Sequence, residues 1–165
     1  VVKVKLVSKE TGGSLFDKLS GVGAALLVKT LDELEKGTVK PVKQNETEAT
    51  HVKMLDKSFG NIDFSMEAAR IERLIRGLNP WPSAYTFLNG KTLKVWKCAV
   101  ERAECGKEAP GTIIGVDKSG IHVACGSDAL ILKEVQLEGK KRMETDVFLR
   151  GYQVTAGTML KDHKE

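Results

Sequence analysis

Apolar positions change period once along this chain. In two stretches before Leu78 they recur every three or four residues, the spacing of helix faces; from Ala84 they alternate with polar residues, the spacing of half-buried strands. Tyr85–Leu88 and Lys91–Trp96 flank Asn89-Gly90, a dipeptide suited to the two positive-φ positions of a type I′ hairpin turn. Three more alternating runs follow, Thr112–Val116, Ile121–Cys125 and Ala129–Leu137, separated by the turns Asp117-Lys118-Ser119-Gly120 and Gly126-Ser127-Asp128. Short strands joined by such tight turns predict a small closed barrel. Glu144 to Arg150 reads as a last helical stretch ending at Gly151.

Ahead of the barrel, Ile71, Leu74, Ile75 and Leu78 form the buried stripe of a helix. Ser65 is the expected N-cap, Glu67 favours the helix dipole, and Pro80 and Pro82 stop the helix. Near the start, Val2, Val4 and Leu6 alternate with Lys3 and Lys5, which predicts a half-buried or edge strand over Val1–Val7. Thr11-Gly12-Gly13-Ser14 reads as a turn with Ser14 as N-cap. Leu15, Leu19, Val22 and Leu26, then Leu27, Leu31 and Leu34, keep helical spacing, split in two if Gly21 and Gly23 break it, with Gly37 as the terminating glycine. One strand and a helical stretch cannot enclose a core, so residues 1–37 read as the edge of a larger α/β layer. Residues 38–60, with Pro41 and no sustained period, read as a linker, and 61–165 as the barrel domain. The predicted class is α+β. The chain opens on Val1 without a signal-peptide pattern, and is expected to start inside a longer protein.

Composition narrows the function classes. The chain is 41% apolar and 29% charged, and no run approaches the eighteen or so apolar residues of a membrane span, so a cytoplasmic protein is expected. Cys98, Cys105 and Cys125 match no zinc or redox spacing and read as reduced thiols. His51, His122 and His163 do not cluster and read as ordinary surface or partly buried residues. Asp56 and Asp63 have no base or metal motif beside them, and Gly21-Val22-Gly23 lacks the third glycine of a dinucleotide loop. No active site and no metal site is recognisable.

The net charge is +4, and residues 57–165 hold 17 basic and 14 acidic side chains, against 9 and 8 in residues 1–56. Any anion-binding surface is thus expected in the second part. Three basic groups stand out there. Arg70, Arg73 and Arg76 lie on the predicted helix, as a solvated face or as a track for phosphates. Lys91, Lys94 and Lys97 lie on the hairpin, and Lys140-Lys141-Arg142 follows the last strand. By strand parity Lys94 and Trp96 share a face opposite Leu93 and Val95. A cation beside an aromatic suits nucleic-acid contact, whereas Trp96 packed on the helix is the structural alternative. Asn79-Pro80-Trp81-Pro82 reads as a structural corner, with Trp81 filling a seam.

Four collinear landmarks resemble the C-terminal half of the methionyl-tRNA formyltransferases. Thr11-Gly12-Gly13-Ser14-Leu15-Phe16-Asp17-Lys18-Leu19 is similar to the family's T-x-G-S/T-L-x-x-K-L, and Gly60-Asn61-Ile62-Asp63-Phe64 to its I-D-W segment, with Phe64 in place of Trp. The most specific is Ile71-Glu72-Arg73-Leu74-Ile75-Arg76-Gly77-Leu78-Asn79-Pro80-Trp81-Pro82, followed by Gly90-Lys91-Thr92-Leu93-Lys94-Val95-Trp96. Ala109-Pro110-Gly111-Thr112-Ile113, Gly139-Lys140-Lys141-Arg142-Met143 and Phe148-Leu149-Arg150-Gly151 complete the series. The resemblance implies that residues 1–37 are the last strand and helix of a Rossmann-like formyltransferase domain, 38–60 the linker, and 61–165 an OB-like domain. It implies 10-formyltetrahydrofolate as co-substrate of the parent enzyme, bound upstream of Val1 with the catalytic Asn, His and Asp, so this chain holds no catalytic residue and no cofactor. Its implied partners are initiator methionyl-tRNA and the missing catalytic domain, with self-association through residues 1–37 as a further expectation. Two rivals remain: a folate-dependent formyltransferase or hydrolase acting on a nucleotide-linked amino sugar, and a non-enzymatic OB-type nucleic-acid-binding module.

Overall fold

The computed structural model describes residues 1–102 and 108–164. Its centre is an antiparallel sheet built from β1 (Ala84–Leu88), β2 (Lys91–Glu101), β3 (Ile113–Asp117), β4 (Gly120–Ala124), β5 (Ala129–Leu137) and the short β6 (Met143–Glu144). The strand order is β1-β2-β5-β4-β3, with β6 pairing β5. Asn89 and Gly90 adopt φ of 49° and 72°, the turn expected for that dipeptide. Leu93 and Val95 of β2, Ile121 and Val123 of β4, and Leu130, Leu132 and Val135 of β5 are fully buried on the inner face. Against it packs α2 (Ala68–Gly77) through Ile71 and Ile75, while α3 (Thr145–Gly151) contributes Phe148.

The predicted closed barrel is corrected to an open sheet, because β1 and β3 form no ladder with each other. The C-terminal segment lies between them instead. Phe87 and Lys161 exchange backbone hydrogen bonds at 3.0 Å, Ile113 donates to Thr158 at 2.8 Å, and Leu160 donates to Gly111 at 2.9 Å. Isolated bridges therefore satisfy part of the edge that a ladder would have covered.

The strand predicted over Val1–Val7 is absent. A strand needs a neighbour's row of backbone partners, and none lies alongside this segment among the described residues. It runs back beside α1 (Gly12–Glu35), with Val1 and Val2 near Val22 and Leu26. α1 is one helix of 24 residues, undivided at Gly21 or Gly23. Thr11 rather than Ser14 is its N-cap, and Ser14 completes a reciprocal capping box from the third helical position. At the other end Gly37 takes φ of 64°, and Thr38 N–H donates to Glu33 at 2.9 Å, closing a Schellman turn. Residues 38–60 carry two single turns of 3-10 helix, Glu46–Glu48 and Lys57–Gly60. No helix among the described residues is long and apolar enough to cross a membrane.

Ser65 is likewise not the cap of α2. Asp63 turns the chain by accepting from Ser65 N–H at 2.9 Å, and Glu67 is the N-cap residue, with Ser127 accepting from Ala68 N–H at 3.1 Å. A loop carbonyl from the β4–β5 turn thus replaces the expected side-chain cap. Asp56 makes the same kind of turn with Ser58, so both carboxylates singled out in the sequence serve the backbone.

Candidate nucleic-acid interface

The corner after α2 ties three elements together. Asn79 accepts from Gly13 N–H at 2.8 Å and its side-chain amide donates to the Trp96 carbonyl at 3.1 Å. A Cβ on Gly12 would stand 2.3 Å from the Gly77 carbonyl oxygen, so only glycine lets the start of α1 approach this closely. The Arg76 guanidinium donates to the Glu10 carbonyl at 2.7 Å while pairing with Glu72 at 2.7 Å. Glu10, itself buried, accepts from Ser14 and pairs with Lys18, whose ammonium holds its carboxyl below the usual range. Pro82 is buried in this corner, but Trp81 is 60% exposed and fills no seam.

The three predicted basic groups separate into different roles. Arg70 and Arg73 are exposed on the outer side of α2, without an ion pair among the described residues. Arg76 is spent on Glu72 and Glu10, and so acts as a clasp between α2 and the N-terminal segment. The other two groups merge. Glu138, in the turn after β5, accepts from Thr92 N–H with its side chain and donates to Thr92 through its backbone at 2.8 Å. That places Lys140-Lys141-Arg142 beside the hairpin end that carries Lys91, and Lys91, Lys140 and Lys141 are exposed there.

Two of these cations reach Trp96. Arg142 lies 4.5 Å and Lys94 5.8 Å from its ring centroid, both within cation–π range. The face shared by Lys94 and Trp96 is therefore the one parity predicted. Beneath them Glu134, almost fully buried, takes a bidentate contact from Arg142, with Nη2 at 2.9 Å from Oε2, and a second cation from Lys97 at 3.1 Å. Arg142, then Lys97, hold its carboxyl below the usual range against the opposing effect of burial. Lys97 also reaches Glu144 at 3.6 Å. The indole N–H of Trp96 is buried and has no hydrogen-bond partner among the described residues.

Glu134 was not visible as part of this surface. The β2–β5 register shifts between Val95 and Lys97 and again between Lys97 and Cys98, so Lys97 pairs with Glu134 out of alternation. From Trp96 a groove of about 670 Å³ runs between β2, α2 and residues 8–11, and Lys9 and Lys133 line it. Lys133 could have been placed on the outer face by the period of β5; nothing in the sequence placed Lys9.

A second polar cluster was missed. His122 of β4 sits between Glu101, at 2.7 Å from Nδ1, and Asp117, at 3.1 Å from Nε2, with Ser119 Oγ at 3.0 Å. Burial disfavours its charge, yet the hydrogen bonds to Glu101 and Asp117 outweigh that and raise its pKa. A Ser–His–Glu string resembles a nucleophile with its base, but Ser119 also bonds Asp117 at 2.6 Å and the imidazole is stabilised in its charged form, the wrong state for a general base. The Cys98 thiol is pushed up to about 12, chiefly by burial, so it is no nucleophile either. Cys105 lies outside the described residues.

Among known proteins, the family described as "Formyl transferase, C-terminal domain" matches residues 54–153. Methionyl-tRNA formyltransferase of Lachnospira eligens is 57% identical over 164 residues, covering 97% of this chain and 52% of that protein. The enzyme of the same name from Agathobacter rectalis is 54% identical over 155 residues, covering 94% of this chain and 50% of the relative. The chain thus spans about half the length of the curated relatives it matches. Among solved structures, a variant of HypX from Aquifex aeolicus superposes with a TM-score of 0.60 at 15% identity, over 89% of this chain and 27% of HypX. HypX solved with tetrahydrofolic acid superposes with a TM-score of 0.53 at 15% identity, over 74% of this chain and 22% of HypX. At that identity the likeness is one of fold. With a domain match across more than half its residues, this chain belongs to the formyl transferase family and carries that family's C-terminal domain.

Proposed function

We propose that this chain is the tRNA-binding half of a methionyl-tRNA formyltransferase. The parent enzyme would move a formyl group from 10-formyltetrahydrofolate to the amino group of initiator methionyl-tRNA, in the cytoplasm, at the start of protein synthesis. In that reaction the neutral amine adds to the formyl carbon, hydrogen-bond donors stabilise the resulting oxyanion, and the folate nitrogen–carbon bond then breaks with net transfer of the amine proton to the folate nitrogen. This chain supplies none of those donors in the proposal; its share is to hold the tRNA.

The observation that carries the proposal is the high identity to methionyl-tRNA formyltransferases over nearly the whole chain. The basic surface supports it physically: Lys94 lies over Trp96, Lys91, Lys140 and Lys141 are exposed at the hairpin end, and Arg70 and Arg73 are exposed on α2. Labelled initiator tRNA titrated across salt, against duplex DNA of equal charge, is the test. Preference for tRNA with a log–log salt slope of about −3 or steeper is expected, each phosphate contact contributing a little under one unit. Equal, feeble binding to both nucleic acids would refute the tRNA role. Formylation of Met-tRNA by these 165 residues alone would refute the absence of catalytic groups.

A further inference from the structure

We infer that the groove between β2, α2 and residues 8–11 is a subsite for one unpaired nucleotide, a finer claim that rests on the RNA-binding reading above. The groove encloses about 670 Å³, inside the range of roughly 300–1,000 Å³ typical of small-ligand sites. Trp96, Ile75, Cys98 and Ala99 are among the residues that line it. Arg142 and Lys94 lie over the Trp96 ring, so a base stacks there by taking the place of a cation, and only a base not already stacked in a helix can do so.

The charge on the groove has the sign of a phosphate partner. Its lining holds Lys9, Arg76, Lys97 and Lys133 against Glu72 as the one acid. Arg76 is neutralised by Glu72, and Lys97 by Glu134 and Glu144. Lys9 and Lys133 form no ion pair among the described residues, so two cations are left for the anion at the rim. The Trp96 indole N–H, buried and without an acceptor, is a donor that a base carbonyl or ring nitrogen can satisfy once the ring turns towards it. A duplex meets the outer lysines and arginines; the groove takes what a duplex cannot present.

Trp81 and Trp96 are the two tryptophans of the chain, so Trp81→Phe leaves Trp96 as the sole indole reporter. Single-stranded hexaadenylate is titrated into this protein, with duplex RNA of equal charge as control and labelled tRNA followed separately by anisotropy. Quenching of Trp96 by the hexamer and not by the duplex is expected. Ala99→Phe, which adds bulk to the lining, and Lys133→Ser, on an exposed position, should weaken the hexamer about tenfold and threefold, with the melting temperature confirming that both fold. Hexamer binding without quenching, or unchanged affinity in both variants, would overturn the subsite. If tRNA still binds in that case, the broader reading survives; if tRNA does not bind either, both fail.

Discussion

At the scale of single residues, the surface around Trp96 is built on a conflict. Arg142 and Lys97 face outward, where phosphate would lie, yet both are already bonded to Glu134. On the proposed tRNA reading a phosphate competes with that carboxylate, so Glu134→Gln is expected to tighten tRNA binding several-fold and steepen its salt slope by about one. Loss of affinity in that variant would show that Glu134 instead holds Arg142 in its binding pose. The same carboxyl sits below its ordinary value of 4.5 because of Arg142, so its stabilisation is present above that value and is lost as pH falls through the lower folded one. Acid unfolding monitored below about pH 4.5 should therefore be less steep in the variant. His122 has the opposite sign. Its pKa is raised, so its contribution is complete below the ordinary 6.5 and fades as pH rises through the folded value. The melting temperature should fall more between pH 6.5 and alkaline pH in the parent than in His122→Gln, and equal slopes would rule out the histidine as the cause. Parity placed Lys94 beside Trp96 correctly because the β2–β5 register holds up to Val95. It could not reveal Glu134, which a bulge brings under Lys97, nor His122, whose partners come from the ends of two other strands.

Elements were legible wherever one period ran unbroken. The hairpin, the long β5 and α2 follow directly from alternation, Asn-Gly and the Ile71–Leu78 stripe. Helix starts were less so, because tertiary groups took over the caps: Ser127 serves α2, and Asn79 receives the first turn of α1. Two kinds of glycine in α1 make this distinction measurable. Gly21 and Gly23 have open space around the missing Cβ, so alanine at either should add about 1 kcal/mol of helix propensity and raise helicity by circular dichroism. Because α1 buries no residue fully, the main unfolding transition of the sheet should hardly move. Gly12→Ala collides with the Gly77 carbonyl and should release the contact between α1 and the corner, seen as faster hydrogen exchange at Gly13 and easier proteolysis of residues 1–11. If Gly12→Ala leaves exchange unchanged, the corner is not what anchors this helix.

Across the whole molecule the apolar area is divided unevenly. The core cluster runs from Ile62 to Leu160 and includes no residue of α1. Phe16, Leu19, Leu27, Val28, Leu31 and Leu34 are all exposed on that helix, more apolar surface than a lone amphipathic segment leaves uncovered without consequence. Sequence periodicity found these leucines but could not say that no described residue would cover them, since that depends on the path of the chain after the helix. The relatives are about twice as long, and a longer chain has further surface to place there. For the chain as it stands, self-association through α1 is the expected relief, because burying those side chains against a second copy recovers roughly 25 cal/mol for each Å² removed from water. Sedimentation should show association that grows with concentration and is abolished by Leu27→Gln, Leu31→Gln and Leu34→Gln together. A parent chain that stays monomeric throughout would mean the helix is tolerated bare. Removal of residues 1–56 should abolish association while leaving the sheet's melting transition in place, because the sheet and α2 close their core without any residue from that segment.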